Sequence, residues 1–260
     1  MVRLPLIATS FAIGLSALAL PALAQTSSPE VSSAMTDADR DALRGEIRAY
    51  LLDHPEVIFE AVAEYERRQQ TAQADMDLAL VQINAEDIFR DGHSWVAGNP
   101  EGDITLVEFM DYRCGYCRRA QPAVEELIGT DGNIRLIVKE FPILGPQSEI
   151  MSRFAVAVQQ VGGDEPYESV HNALMAWEGD VTPDDLRAIA SDLSLDADAV
   201  LAAMNGDEVT AVLQANHALA ERLQISGTPT FIMGAGDEGE MMRGYLPLDQ
   251  MQAAVSRLRG

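Results

Sequence analysis

The chain has 260 residues and 47% of them are hydrophobic, which allows one large domain or one catalytic domain with an extension. Its formal net charge is −23, from 41 acidic and 18 basic residues. A surface this acidic repels phosphate backbones, which argues against nucleic acid as a partner.

The first 24 residues differ in composition from the rest of the chain. Arg3 precedes an almost wholly apolar stretch over 4–20, and the sequence Ala-Leu-Ala at 22–24 has the small-x-small pattern of a cleavage site. We interpret residues 1–24 as a secretory signal peptide, cleaved near Ala24, and expect a periplasmic protein. The alternative is a membrane anchor, but the apolar run is short for a spanning helix, which needs ~20 residues.

A helical segment is predicted next. Apolar residues recur at three- and four-residue steps after Asp37, His54 interrupts the pattern, and a second helix is predicted to begin at Pro55. The apolar stripe is too long and narrow to bury itself, so it must pack on the rest of the chain or on a second copy. We favour self-association and treat residues 25–90 as an oligomerisation segment.

Residues 91–260 have the pattern of an α/β domain. Strands are predicted from Ile104 to Met110 and from Ile134 to Glu140, with a helix from Arg118 to Ile128 between them that Pro122 should kink. This strand–helix–strand order is typical of a parallel strand pair.

Strand signals nearly vanish after the second strand. Helical patterns dominate from about 148 to 224, which predicts an all-α insertion of four or five helices. Strand character returns at 230–233, and a turn followed by residues 240–243 predicts a hairpin. A final amphipathic helix is predicted over 246–258.

The only two cysteines, Cys114 and Cys117, lie between the first predicted strand and its helix. A helix N-terminus presents unpaired N–H groups and the positive end of the helix dipole, and both stabilise a thiolate on the first cysteine. The second cysteine lies one turn on and can attack the first sulfur to resolve a mixed disulfide. We therefore predict that Cys114 is the nucleophile and Cys117 the resolving residue.

Other roles fit this cysteine pair less well. A disulfide that closes so small a loop removes little entropy from the unfolded chain, so the pair is a poor structural crosslink. A structural zinc site needs four ligands, whereas the chain has no further cysteine and its four histidines are scattered. We expect no cofactor and no metal centre, although two thiolates are suitable ligands for Cu(I), which stays open.

Four charged residues each have two interpretations. Arg113, Arg118 and Arg119 either support a thiolate or are solvated surface charges. Glu140 ends the second strand and is either a proton relay or a solvated edge residue. For His93 and Trp95, which precede the first predicted strand, packing is the favoured role.

The strand with the cysteine pair, the helical insertion and the Gly-Thr-Pro-Thr sequence at 227–230 together resemble the DsbA-like family of thioredoxin-fold proteins. In that family the threonine–proline bond is cis, and its loop lies against the cysteines, where backbone groups pair with a substrate peptide. The resemblance implies a thioredoxin-like α/β fold with Gly115, Tyr116, Thr228 and Pro229 in the active-site loops. From the residues alone, an ordinary trans turn at Pro229 stays open.

Two further stretches resemble the Com1-like and ScsC-like branch of that family, namely Asp111-Tyr112 before the cysteines and residues 47–58. The N-terminal helices of ScsC-like proteins make oligomers, trimers in at least some members. Strongly oxidising members carry Pro-His between the cysteines, where this chain has Gly115-Tyr116. Without that histidine we expect a potential less oxidising than the ~−120 mV of DsbA and nearer the ~−180 mV of protein disulfide isomerase.

The sequence therefore predicts a thiol–disulfide oxidoreductase acting on exported proteins, as an isomerase or reductase held in a trimer or dimer. Its expected partners are exported proteins with cysteines and a membrane protein that keeps the pair reduced. Two alternatives stay open. One is a monomeric DsbA-like oxidase that donates disulfides, and the other is a copper-binding or copper-protective protein that uses the two thiols.

Overall fold

The computed structural model describes residues 35–260, so the predicted signal peptide lies outside the described residues. The chain divides into an N-terminal unit that ends at Glu60 and a second unit over Ala61–Gly260. Helix α1 spans Asp37–Asp53 and α2 spans Glu56–Ile83, with the break at the predicted position. Thr36 caps α1 because its hydroxyl accepts from the backbone N–H of Asp39, whose carboxylate accepts from the Thr36 N–H in return.

The second unit is built on a five-stranded sheet in the order β1-β3-β2-β4-β5. Strand β2 is parallel to β3 and antiparallel to β4, and the two edge strands are also antiparallel to their neighbours. After α2, the elements in chain order are α3 (Ala85–Phe89), β1 (Trp95–Gly98), β2 (Ile104–Met110), α4 (Gly115–Asp131), β3 (Ile134–Glu140), α5 (Pro146–Gly162), α6 (Asp164–Ala176), α7 (Pro183–Asp192), α8 (Ala197–Ala203), α9 (Asp207–Arg222), β4 (Thr230–Ala235), β5 (Glu238–Arg243) and α10 (Leu248–Arg259).

This architecture confirms the predicted α/β fold with a helical insertion. The parallel register runs from Ile104 opposite Ile134 to Met110 opposite Glu140, so both strands end at the same edge of the sheet. The insertion consists of five helices, α5 to α9. The sequence pattern does not predict strand β1, because four residues are too few to show a two-residue alternation and Gly98 is typical of a turn. That glycine has φ +70°, and a Cβ there would lie 2.4 Å from the Ile134 carbonyl oxygen.

Each face of the sheet is covered by a separate apolar cluster. Helices α4 and α10 and most of the insertion pack on one face, together with Leu106 and Met110 of β2. The end of α2, helix α3 and the end of α9 pack on the other face, where Val81 and Phe89 contribute fully or almost fully buried side chains. The last turns of α2 are therefore part of the core of the second unit. None of the described helices combines the length and the apolar character that a membrane span requires.

Candidate active site

Cys114 lies at the N-terminal end of α4, the position predicted from the sequence. Its backbone is extended, with φ −78° and ψ 113°, and its carbonyl accepts the first helical hydrogen bond from Arg118 N at 3.1 Å. Cys117 lies one turn further on, with no exposed surface, whereas Cys114 is 6% exposed. Both side chains are free thiols. Only the first sulfur is accessible to a reaction partner, although its exposed area is small.

The two thiols have pKa values shifted in opposite directions. The Cys117 thiol makes the largest contribution in lowering the pKa of Cys114 to about 5, against the opposing effect of burial. Smaller lowering contributions come from the Thr228 hydroxyl and from the backbone N–H groups of Cys117 and Tyr116. The pKa of Cys117 is raised, first by the same thiol–thiol hydrogen bond, then by burial and by the charge of Glu108. At neutral pH the pair therefore carries one thiolate, on Cys114.

The loop before β4 lies against Cys114, as the family resemblance implied. The Thr228–Pro229 peptide bond is cis, and Cys114 Sγ lies 3.2 Å from the Thr228 carbonyl oxygen, to which it can donate a hydrogen bond only when it is protonated. The Pro229 carbonyl accepts from Gly244 N at 2.9 Å, which ties the loop to the end of β5. Tyr116, between the two cysteines, is 61% exposed and available for contact with another molecule.

Asp111, the residue after β2, holds the approach to the cysteines in place. Its buried carboxylate accepts from Arg113 N at 2.7 Å through Oδ1. Through Oδ2 it accepts from Ile143 N at 2.8 Å and Leu144 N at 3.0 Å. One side chain thus satisfies three backbone donors from the two loops that follow the parallel strands.

Glu140 is buried in a network of hydroxyl groups, so of its two interpretations the solvated edge residue is wrong. Its Oε1 accepts from Tyr112 Oη at 2.7 Å and Tyr167 Oη at 2.6 Å, and its Oε2 accepts from Ser152 Oγ at 2.7 Å. Burial raises the pKa of Glu140 to about 7, although these three hydrogen bonds oppose the shift. His171 Nδ1 lies 3.2 Å from Tyr112 Oη and extends the network.

The three arginines near the pair have partners other than the cysteines. These partners are the Gly179 carbonyl and Asp180 for Arg113, the Tyr112 carbonyl for Arg118 and the Tyr245 ring for Arg119. The lowered pKa of Cys114 has its causes in hydrogen bonds from the pair and its loops. The favoured packing role of Trp95 is confirmed, because its ring lies 5.1 Å from that of Tyr167.

Glu108 is a site residue that the sequence argument missed. It is 4% exposed and lies on β2 between Leu106 and Met110, so its side chain is on the sheet face covered by α4. Burial is the main cause that raises its pKa to about 8, followed by the charge of Cys114. A signal was present, since Glu108 occupies an inward position in the strand's two-residue period.

Two family models match this chain. The DSBA-like thioredoxin domain matches residues 105–256, which include both cysteines and the cis-proline loop. The Copper resistance protein ScsC N-terminal domain matches residues 39–72, in α1 and α2.

Several solved structures are similar over most of their length. A thioredoxin-like oxidoreductase from Silicibacter pomeroyi DSS-3 is 39% identical, with 68% of this chain and 98% of that chain covered and a TM-score of 0.61. BcfH from Salmonella enterica Typhimurium is 28% identical, with 86% and 97% covered and a TM-score of 0.71. The thiol-disulfide exchange protein alpha-DsbA2 from Wolbachia pipientis is 26% identical, with 72% and 98% covered and a TM-score of 0.65.

The curated relatives that match are longer proteins. The Na(+)/H(+) antiporter NhaA 1 of Salinispora arenicola is 29% identical over 163 residues, which are 62% of this chain and 24% of that protein. The chain thus spans about a quarter of the length of these relatives. The match to the DSBA-like thioredoxin domain covers more than half of the chain. The matched residues include most of the sheet, the insertion and both cysteines described above. The chain therefore belongs to the DsbA-like thioredoxin-fold family of thiol–disulfide oxidoreductases.

Proposed function

We propose that this protein rearranges or reduces disulfides in exported proteins, with Cys114 as the attacking and Cys117 as the resolving residue. The observation that carries this proposal is the opposite shift of the two thiol pKa values. It leaves one nucleophilic thiolate on the more accessible sulfur, beside a cis-proline loop that has backbone groups for a peptide. We propose Gly115, Tyr116, Thr228 and Pro229 as the surfaces that contact the substrate.

The reaction begins when the Cys114 thiolate attacks one sulfur of a substrate disulfide. A mixed disulfide forms and one substrate sulfur leaves as a thiolate. In isomerisation, another substrate thiol attacks the mixed disulfide and regenerates the Cys114 thiolate. In reduction, Cys117 loses its proton and attacks Cys114 Sγ, the second substrate thiolate leaves, and the enzyme's pair becomes a disulfide that a reductant must restore.

Glu108 is suited to accept the Cys117 proton in the resolving step. Its carboxyl group is buried close enough to Cys117 for its charge to raise the pKa of that thiol. Its pKa of about 8 is close to neutral, so both its ionised and its protonated form are populated at neutral pH. We therefore assign Glu108 as the base for the reductive branch of the reaction.

An oligomer is supported by the apolar face of α1. No side chain of α1 is buried, and Leu43, Ile47 and Tyr50 are 47%, 50% and 53% exposed. These residues are spaced so that they share one face of the helix. An exposed apolar face of this kind marks a protein–protein contact. A trimer or dimer would place several cysteine pairs around one substrate, which suits isomerisation.

The oligomerisation segment proposed from the sequence, residues 25–90, includes residues that a truncation experiment should retain. Val81, Ile88 and Phe89 are buried in the core of the second unit. A truncation through residue 90 would therefore remove core residues of the catalytic unit. Removal of residues 25–60 retains all of Ala61–Gly260 and tests the association surface alone.

Two measurements test the proposal together. Light scattering should give a trimer or dimer for the mature chain and a monomer for Ile47→Glu, with Ala49→Glu as control because Ala49 is exposed on another side of α1. Reactivation of scrambled ribonuclease should require Cys114 and fall with the monomeric variant. A monomeric mature chain that oxidises reduced ribonuclease instead would favour the disulfide-donating oxidase.

Copper binding is the second candidate, since the name of the N-terminal family match is that of a copper resistance protein. Within residues 35–260, no group of three or more His, Cys, Asp or Glu side chains is placed to hold a metal ion. Any Cu(I) site would thus use the two thiolates alone. Titration of the reduced protein with Cu(I) tests this candidate, and an affinity no higher than that of dithiothreitol would exclude it.

A further inference from the structure

A cavity of about 400 Å³ lies between the sheet and the helices α4 and α6. Its lining is mixed: Trp95 of β1, Val124 and Ile128 of α4 and Met175 of α6 provide an apolar part, and acidic and amide side chains provide a polar part. None of these groups belongs to the cis-proline loop or to the exposed surface around Tyr116. The cavity therefore lies apart from the proposed substrate contacts, although Glu108, the proposed base, lines it, and its size suits a small molecule.

The charged groups that line this cavity are acidic. Glu125 of α4 and Glu168 of α6 are exposed. Glu108 lies inside, 4% exposed, and its pKa of about 8 leaves it partly ionised at pH 7.5, where a neighbouring cation would favour the ionised form. No lysine or arginine occurs among the described residues that line it. His171 also lines the cavity, but burial lowers its pKa to about 4, so it is neutral at pH 7. The cavity thus has negative charge and no compensating cation of its own.

Glu108 gives the cavity a specific anchoring point. Its Oε1 is buried and has no hydrogen-bond partner among the described residues. A buried carboxyl oxygen without a partner loses the hydrogen bonds that water would give it, and a positively charged donor restores the most free energy. No ion pair to Glu108 occurs within residues 35–260, so no described side chain neutralises this carboxyl group.

We propose that the cavity binds a small organic cation, an amine or guanidinium on an apolar body, which donates to Glu108. The apolar body would contact Trp95, Val124 and Ile128, and the carboxylates of Glu125 and Glu168 would favour entry of cations over anions. The proposal concerns binding only and does not depend on whether the protein is an isomerase, a reductase or an oxidase.

The probes are benzylamine, benzyl alcohol and benzoate, which share a ring and differ in charge. Binding to the full mature protein is measured at pH 7.5 by calorimetry, and the indole N–H resonance of Trp95 reports the location. We expect benzylamine to bind at least tenfold more tightly than the alcohol, benzoate not to bind, and the Trp95 resonance to shift at saturation. Equal affinity for amine and alcohol, or no saturable binding of benzylamine, would overturn the proposal.

Three variants locate the charge. Glu108→Gln should lower the affinity for benzylamine about tenfold, and Glu168→Gln about threefold. Glu126→Gln is the matched control, because Glu126 is an exposed acid of α4 that does not line the cavity. If Glu108→Gln does not fold, the Glu125→Gln/Glu168→Gln double variant replaces it. Identical losses in the control and the cavity variants would reduce the effect to general surface charge and contradict the proposal.

Discussion

Tyr112 Oη donates a 2.7 Å hydrogen bond to Glu140 Oε1, which links the loop just before Cys114 to the last residue of the neighbouring parallel strand. The same carboxylate accepts from Ser152 of α5 and Tyr167 of α6. The active-site loop and the first two helices of the insertion therefore share one buried acceptor. This shared acceptor couples the position of Cys114 to the packing of the insertion.

Replacing Glu140 with glutamine should change how stability depends on pH. Burial raises the pKa of Glu140 from 4.5 to about 7, so the folded protein binds more protons than the unfolded chain between these values, and its stability falls as pH rises through them. The full shift corresponds to about 3 kcal/mol. Glu140→Gln loses hydrogen bonds and should be less stable than the wild type at pH 5, with a deficit that shrinks or reverses at pH 8. Urea unfolding at both pH values measures this, and a deficit independent of pH would contradict it.

The thiolate of Cys114 should be detectable well below neutral pH. Its absorbance near 240 nm should titrate with a midpoint near pH 5, because its pKa is lowered to about 5. In Cys117→Ala the midpoint should rise, since the Cys117 thiol is the largest cause of the lowering. Cys114→Ala, in which only the buried high-pKa thiol remains, should show no transition below pH 9. A midpoint that Cys117→Ala leaves unchanged would assign the shift to the helix and the loop instead.

The redox potential should lie between those of DsbA and thioredoxin. The Cys114 pKa of about 5 lies between that of the attacking cysteine of DsbA, ~3.5, and that of thioredoxin, ~7. A more stable thiolate favours the reduced form of the pair and so raises its potential. We therefore expect a value between ~−120 and ~−270 mV, in agreement with the sequence-based expectation of about −180 mV. Equilibration with glutathione buffers measures it. A potential at or above that of DsbA would show that a histidine between the cysteines is not needed for strong oxidation.

Glu108→Gln should slow resolution and leave the first attack intact. With dithionitrobenzoate as a model disulfide, the first thionitrobenzoate release reports Cys114 and the second reports Cys117. The second release should slow about 100-fold at pH 8, which is the lower end of the effects typical of general bases. Because the pKa of Glu108 is about 8, the wild-type advantage should decrease as pH falls below 8. Glu126→Gln serves as the control, and equal slowing of both releases would indicate a structural defect.

Most of the chain order was predictable, because β2, α4 and β3 have clear local periods and the insertion lacks strand signals. The cysteine pair was also recognisable from local sequence, because its chemistry depends on the N-terminus of the helix that directly follows Cys114. Buried polar residues were harder. Lys139 has no exposed surface, and its Nζ donates to Asp91 Oδ2 at 2.5 Å and to the Asp87 carbonyl at 2.9 Å. Those partners are about fifty residues away, and nothing local distinguishes such a lysine from a solvated one.

Asp111 has a consequence for how relatives of this protein can diverge. Its carboxylate receives the N–H groups of Ile143 and Leu144 and so sets where the chain leaves the sheet to enter the insertion. Ser152 of α5 and Tyr167 of α6 also donate to Glu140, so these two helices are tied to the loop before Cys114, whereas α7 and α8 make no contact with that carboxylate. The segment that contains α7 and α8 is in this sense exchangeable, and replacing residues 183–203 with those of another member should leave the reactivity of Cys114 unchanged.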